Sequence, residues 1–143
     1  MSRNESPAQF PTESRLHVAL NVKSIEESVS FYERLFGLKP AKVRPGYAKF
    51  EVEEPSLNLA LNEGKEGSGS GVNHFGIQVK SRARVDAAKA RLRTAGLAIR
   101  DEGEVTCCYS VQYKFWTMDP DGNEWETFLV MEKEAPACGG KSS

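Results

Sequence analysis

The chain has 143 residues, enough for one compact domain with a substantial core. Its 19 basic and 20 acidic residues give a formal net charge of −1, which supplies no strongly basic face for nucleic acid or an anionic membrane. No apolar run is long enough to span a bilayer and residues 1–14 contain no signal-peptide core, so a cytoplasmic protein acting on a small molecule is expected.

In chain order, residues 1–14 read as a flexible extension. The first module, 15–63, opens on an alternating strand, Leu16-His17-Val18-Ala19-Leu20-Asn21-Val22. Ser24-Ile25-Glu26-Glu27 then has the pattern of a capping box, with Ser24 as N-cap and Glu27 three residues on. Ile25, Val29, Tyr32, Leu35 and Phe36 follow at helical spacing, and Gly37 suits the C-cap. Strands are expected over 39–43, 47–52 and 57–62. The Gly/Ser-rich stretch 64–71 reads as a flexible linker.

The second module, 72–131, repeats this plan. Asn73-His74-Phe75-Gly76-Ile77-Gln78-Val79-Lys80-Ser81 can be laid over the opening strand of the first module, and the overlay superposes the two histidines of the protein. Ser81 precedes a helix marked by Val85, Ala88 and Leu92 and stopped by Gly96. Strands over 98–102, 110–118 and 124–131 complete the unit. Asp119-Pro120-Asp121-Gly122-Asn123 is a strong turn before the last of them. Residues 132–143 read as a loose tail. The expected fold is therefore α+β: two paired βαβββ modules forming a partly open eight-stranded barrel around a metal site.

The metal expectation comes from the repeat. Matching positions in two modules place His17 and His74 alike, and neutral imidazole is the commonest metal ligand. Glu126 is the candidate carboxylate: it shares a strand face with Phe128 and Val130, where an uncompensated charge is expensive. Taken singly, a strand histidine is more often a hydrogen-bonded structural residue and a strand glutamate more often faces solvent. The coincidence of all three in one repeat reverses that balance.

Three cysteines, two of them adjacent, do not make a disulfide framework. Cys107 and Cys108 read as thiols that bind or react. Cys138 is either an additional soft-metal ligand or an incidental thiol of the tail.

The paired modules, covering roughly residues 15–131, resemble the vicinal oxygen chelate superfamily, which includes glyoxalases, extradiol dioxygenases and fosfomycin-resistance proteins. That resemblance assigns metal ligands to His17, His74 and Glu126. The strand Leu57-Asn58-Leu59-Ala60-Leu61-Asn62 lacks a fourth ligand, unlike typical glyoxalases. The segments 40–48, Thr106-Cys107-Cys108-Tyr109 and Asn123-Glu124-Trp125-Glu126 further resemble organoarsenical carbon–arsenic lyases and cadmium-inducible proteins. What this implies is Fe(II)- and O2-dependent cleavage of methyl- or aryl-arsenite to inorganic arsenite, with Ni, Co, Mn or Zn as substitute metals. It also implies that Cys107 and Cys108 sit on a mobile loop over the metal and bind the arsenical. Tyr109 packs on an aryl substituent or gates that loop, or is simply a strand aromatic. Some relatives carry Gln at the position of His17. Arg44, Tyr47 and Lys114 lie in family-like segments but receive no role.

Two further readings remain open at this point. A cadmium- or arsenite-binding resistance protein would use the same cysteines without catalysis. A thiol transferase of the fosfomycin-resistance type would use the same three metal ligands without needing the cysteine pair. The chain is expected to act as a monomer or homodimer.

Overall fold

The computed structural model describes residues 4–64, 71–107 and 109–136. The elements run β1 (Arg15–Val22), α1 (Ile25–Phe36), β2 (Lys42–Arg44), β3 (Tyr47–Val52), β4 (Leu57–Glu63), β5 (Gly71–Val79), α2 (Arg82–Thr94), β6 (Arg100–Cys107), β7 (Ser110–Met118) and β8 (Glu124–Glu132). This is the βαβββ plan written twice, an α+β fold of eight strands and two helices among the described residues. Two compact units emerge, Arg15–Phe75 and a second formed by Met1–Ser14 with Gly76–Ser143. Their division falls inside β5. No described helix is long and apolar enough to cross a membrane.

In the first unit the strand order is β2-β3-β4-β1-β5, with β2 as an edge. β1 runs parallel to β4, and β2–β3 and β3–β4 are antiparallel. Register decides what each face carries, because side chains alternate along a strand. Phe50, Leu59, Leu61, Ala48 and Val52 face one way and pack with Ile25, Val29, Tyr32 and Phe36 of α1. The opposite face holds His17 beside Asn58 and Ala19 beside Ala60.

Leu35 departs from the expected helix face and is 59% exposed. At about 100° per residue it lies roughly 80° from the Ile25 direction, whereas Val29, Tyr32 and Phe36 fall within about 40°. The helix start follows expectation: Glu27 N–H donates to Ser24 Oγ at 3.2 Å. Ile25 N–H is taken by Glu63 Oε2 at 3.1 Å, a tertiary supplement to the cap. Gly37 ends the helix at φ 71, with its N–H bonded to the Glu33 carbonyl. Ser24→Ala should therefore cost about 1 kcal/mol, read as a lowered denaturant midpoint at unchanged m-value.

The second unit has the order β5-β8-β7-β6, with β6 as an edge and antiparallel pairing of β6–β7 and β7–β8. Val79, Val85, Phe115, Leu129 and Met131 form its core, with Ala88 and Leu92 of α2 against them. Ser81 caps α2 by accepting from Arg84 N–H. At the other end Gly96 at φ 87 allows a Schellman turn, with Gly96 N–H bonded to Arg93 and Leu97 N–H to Leu92.

Residues 4–10 make several contacts with residues 80–82. Ser6 N–H bonds the Lys80 carbonyl at 2.8 Å and Arg82 N–H bonds the Asn4 carbonyl at 2.7 Å. Phe10 is buried, with the Lys80 ammonium 4.5 Å from its ring centroid and 2.8 Å from its carbonyl oxygen. An apolar side chain and three backbone anchors thus tie the segment to its own unit.

Candidate functional site

In each unit a helix covers one sheet face and polar residues collect on the other. On the helix-free face of the first unit, His17 Nε2 and His74 Nε2 lie 3.3 Å apart, with ring centroids at 5.2 Å. Each ring is oriented from behind. His17 Nδ1–H donates to the Asn58 carbonyl oxygen at 3.1 Å, a group that accepts only. His74 Nδ1–H donates to Asn73 Oδ1 at 2.7 Å, and Asn73 Nδ2 in turn donates to Asn21 Oδ1 at 3.2 Å.

With the Asn73 amide oriented in this way both protons sit on Nδ1, and both Nε2 atoms present lone pairs to each other at 3.3 Å. Two lone pairs at that distance repel unless a cation lies between or beside them. An Nδ1–H bound to a carbonyl or carboxamide oxygen is also the usual support of a metal-ligating histidine, since it sets the tautomer and raises the basicity of Nε2. These two residues fit a divalent metal.

Glu126 lies on β8 in the second unit and is 3% exposed. Its Oε1 accepts from Lys114 Nζ at 3.0 Å, and both side chains are withdrawn from solvent. Trp116 stands directly across from Glu126, and the Lys114 ammonium lies 5.2 Å from the Trp116 ring centroid. Lys114, left without a role by sequence alone, is thus a charge partner of the candidate carboxylate. The turn ahead of β8 is tied by Asp119, whose Oδ1 accepts from the N–H groups of Asp121 and Asn123. The Asn123 side chain first, and then those backbone bonds, hold the Asp119 carboxyl below its usual range.

Cys107 is the last residue of β6 and pairs with Ser110, the first residue of β7. Cys107 is buried, 8% exposed. Tyr109 has φ 62. A left-handed backbone is normally left to Gly or Asn, and an aromatic there stores about 1–3 kcal/mol of strain. Such strain is characteristic of functional positions. Cys108 and Cys138 lie outside the described residues.

The model of the Glyoxalase/Bleomycin resistance protein/Dioxygenase superfamily matches residues 14–127. The chain is 54% identical over 115 residues to the trivalent organoarsenical cleaving enzyme of Bacillus sp. (strain MD1), covering 80% of this chain and 71% of that one. It is 44% identical over 118 residues to the cadmium-induced protein CadI of Mycobacterium bovis, covering 82% and 77%. Among solved structures, the Mn(II)-bound glyoxalase of Novosphingobium aromaticivorans shares the fold at a TM-score of 0.62 and 22% identity, over 98% of this chain and 43% of that one.

Proposed function

Because this chain belongs to the Glyoxalase/Bleomycin resistance protein/Dioxygenase superfamily, we propose that it cleaves the carbon–arsenic bond of trivalent organoarsenicals, releasing inorganic arsenite, with Fe(II) as metal and O2 as co-substrate. His17, His74 and Glu126 hold the metal: two imidazoles and one carboxylate make a facial donor set with positions left for other ligands. The observation that carries the metal assignment is the pair of facing Nε2 atoms, each backed by an oxygen on Nδ1.

When bound, Fe(II) supplies the activation of dioxygen that oxidation of a carbon–arsenic bond requires. The protein supplies capture and placement. Arsenic(III) is soft and thiophilic, and a monoorgano-arsenical has two exchangeable positions, which the adjacent thiols Cys107 and Cys108 occupy together. Burial of Cys107 at the end of β6 keeps water from competing for the arsenic once it is held. Lys114 neutralises Glu126 while the metal is away and orients one of its oxygens. Tyr109 lies close in the chain to Cys107, where its ring can pack on an aryl substituent.

The test is reconstitution. Protein loaded anaerobically with Fe(II) and given methylarsenite should release arsenite once air is admitted, measured by arsenic speciation. Product no greater than that of His74→Ala overturns the assignment. The likeness to a cadmium-induced protein supports a second reading, binding of thiophilic ions by the same cysteines without turnover. Stoichiometric retention of the arsenical with no arsenite formed is its signature.

A further inference from the structure

On the helix-free face of the second unit, the hairpin carries an unusual amide. Cys107 pairs with Ser110 and Val105 with Gln112 across β6 and β7, and residues directly opposite in an antiparallel pair share a face. Cys107, Ser110, Gln112 and Lys114 therefore line one side. Gln112 Nε2 donates to the Cys107 carbonyl oxygen at 3.3 Å and to Ser110 Oγ at 2.9 Å. Ser110 Oγ donates to that same carbonyl at 3.1 Å. Since a carbonyl only accepts, the amide cannot be turned round: its nitrogen lies on the hairpin and its oxygen points away.

That oxygen, Gln112 Oε1, has no hydrogen-bond partner among the described residues, although Gln112 is only 6% exposed. Buried polar atoms in folded proteins are nearly always paired. An acceptor held in one orientation by the backbone of a binding cysteine, yet left without a donor, suits a donor that arrives with the ligand.

We infer that Gln112 orients the incoming arsenical, its Oε1 accepting the hydrogen of an arsenic-bound hydroxyl while Cys107 takes the arsenic. The inference rests on the arsenical reading of the hairpin. In water a trivalent monoorgano-arsenical is R–As(OH)2. In the first exchange a Cys107 S–As bond forms, one As–O bond breaks, and the thiol proton leaves with that hydroxide as water. No oxidation state changes. The species formed keeps one As–OH, which donates to Gln112 Oε1 and holds the arsenic in place for the second thiol. Exchange at Cys108 then expels the second hydroxide as water and frees the acceptor. Gln112 thus acts on the rate of capture rather than on the stability of the final dithiolate.

The experiment is stopped-flow association of methylarsenite with the metal-free, full-length protein, with methyl methanethiosulfonate as a thiol probe that brings no hydrogen-bond donor. Gln112→Met should slow methylarsenite capture about tenfold, the equivalent of one net hydrogen bond. Dissociation should slow by the same factor, since the stability of the final dithiolate is unchanged, while the rate with the thiosulfonate should stay within about twofold, the change reserved for a side effect on packing. Ser110→Ala removes one hairpin anchor but keeps Oε1, so its capture rate should remain near wild type. Unchanged capture in Gln112→Met overturns the inference, and so does equal slowing with both reagents or in both variants. Cys107→Ser separates the two levels: undiminished methylarsenite uptake in that variant defeats the arsenical reading itself, whatever Gln112 does.

Discussion

Lys114→Met is expected to cost the metal-free protein about 3–5 kcal/mol, the range for removing one partner of a buried ion pair. The Lys114 and Glu126 side chains are 3% and 4% exposed and sit 3.0 Å apart, so methionine leaves the carboxylate with its desolvation cost and without its ammonium. Loss of packing alone is small, because Met is close to the lysine stem in volume. Two comparisons isolate the charge. Lys114→Met combined with Glu126→Leu removes both partners and should recover most of the loss, since apolar replacement of a whole buried pair is often neutral. Adding a divalent metal to Lys114→Met should also recover much of it, because a cation bound at Glu126 substitutes for the missing ammonium. Urea unfolding with and without Mn(II) reads both effects. An identical loss in the presence and absence of saturating metal would sink Glu126 as a ligand while leaving its pairing with Lys114 intact.

This lysine also shows where sequence reading runs out. Local signals carried far: Ser24 and Ser81 cap their helices, Gly37 and Gly96 end or follow them at positive φ, and the turn at 119–123 precedes β8. The overlay of His17 on His74 was visible because a repeat is a one-dimensional pattern. Pairing of Lys114 with Glu126 is not. It depends on the β7–β8 register, in which Trp116 stands opposite Glu126 and Lys114 opposite Phe128, so the pair is a diagonal one. No local pattern announces which diagonal neighbour a long side chain takes. Sequence did mark Glu126 as a carboxylate needing compensation, without naming the compensator. Phe10 was hidden for a different reason: one apolar residue among Pro, Ser and Thr has no periodicity, and its burial is decided by Lys80, 70 positions away. The left-handed Tyr109 was equally silent, because an aromatic is the residue least expected there.

His74→Ala should abolish metal retention, and Asn73→Ala should weaken metal affinity about 10- to 100-fold, the usual effect of removing the group behind a ligating histidine. The order of these effects is informative. His74 supplies an electron pair at Nε2, and nothing adjacent replaces it. Asn73 supplies none; it holds the proton on Nδ1 through a 2.7 Å bond and keeps the ring facing His17. Alanine at 73 frees the ring to rotate and to take the other tautomer, in which Nε2 carries the proton and cannot bind a cation. Asn21→Ala lies one step further back, since Asn21 Oδ1 only fixes the Asn73 amide through a 3.2 Å bond. Its effect should be smaller again. Competition with a chelator of known affinity measures all three. A graded series, with His74 above Asn73 above Asn21, is what a relay of oriented dipoles ending on a metal produces. Equal metal affinity in Asn73→Ala and wild type would mean that the 3.3 Å contact between the two Nε2 atoms is held by a shared proton instead.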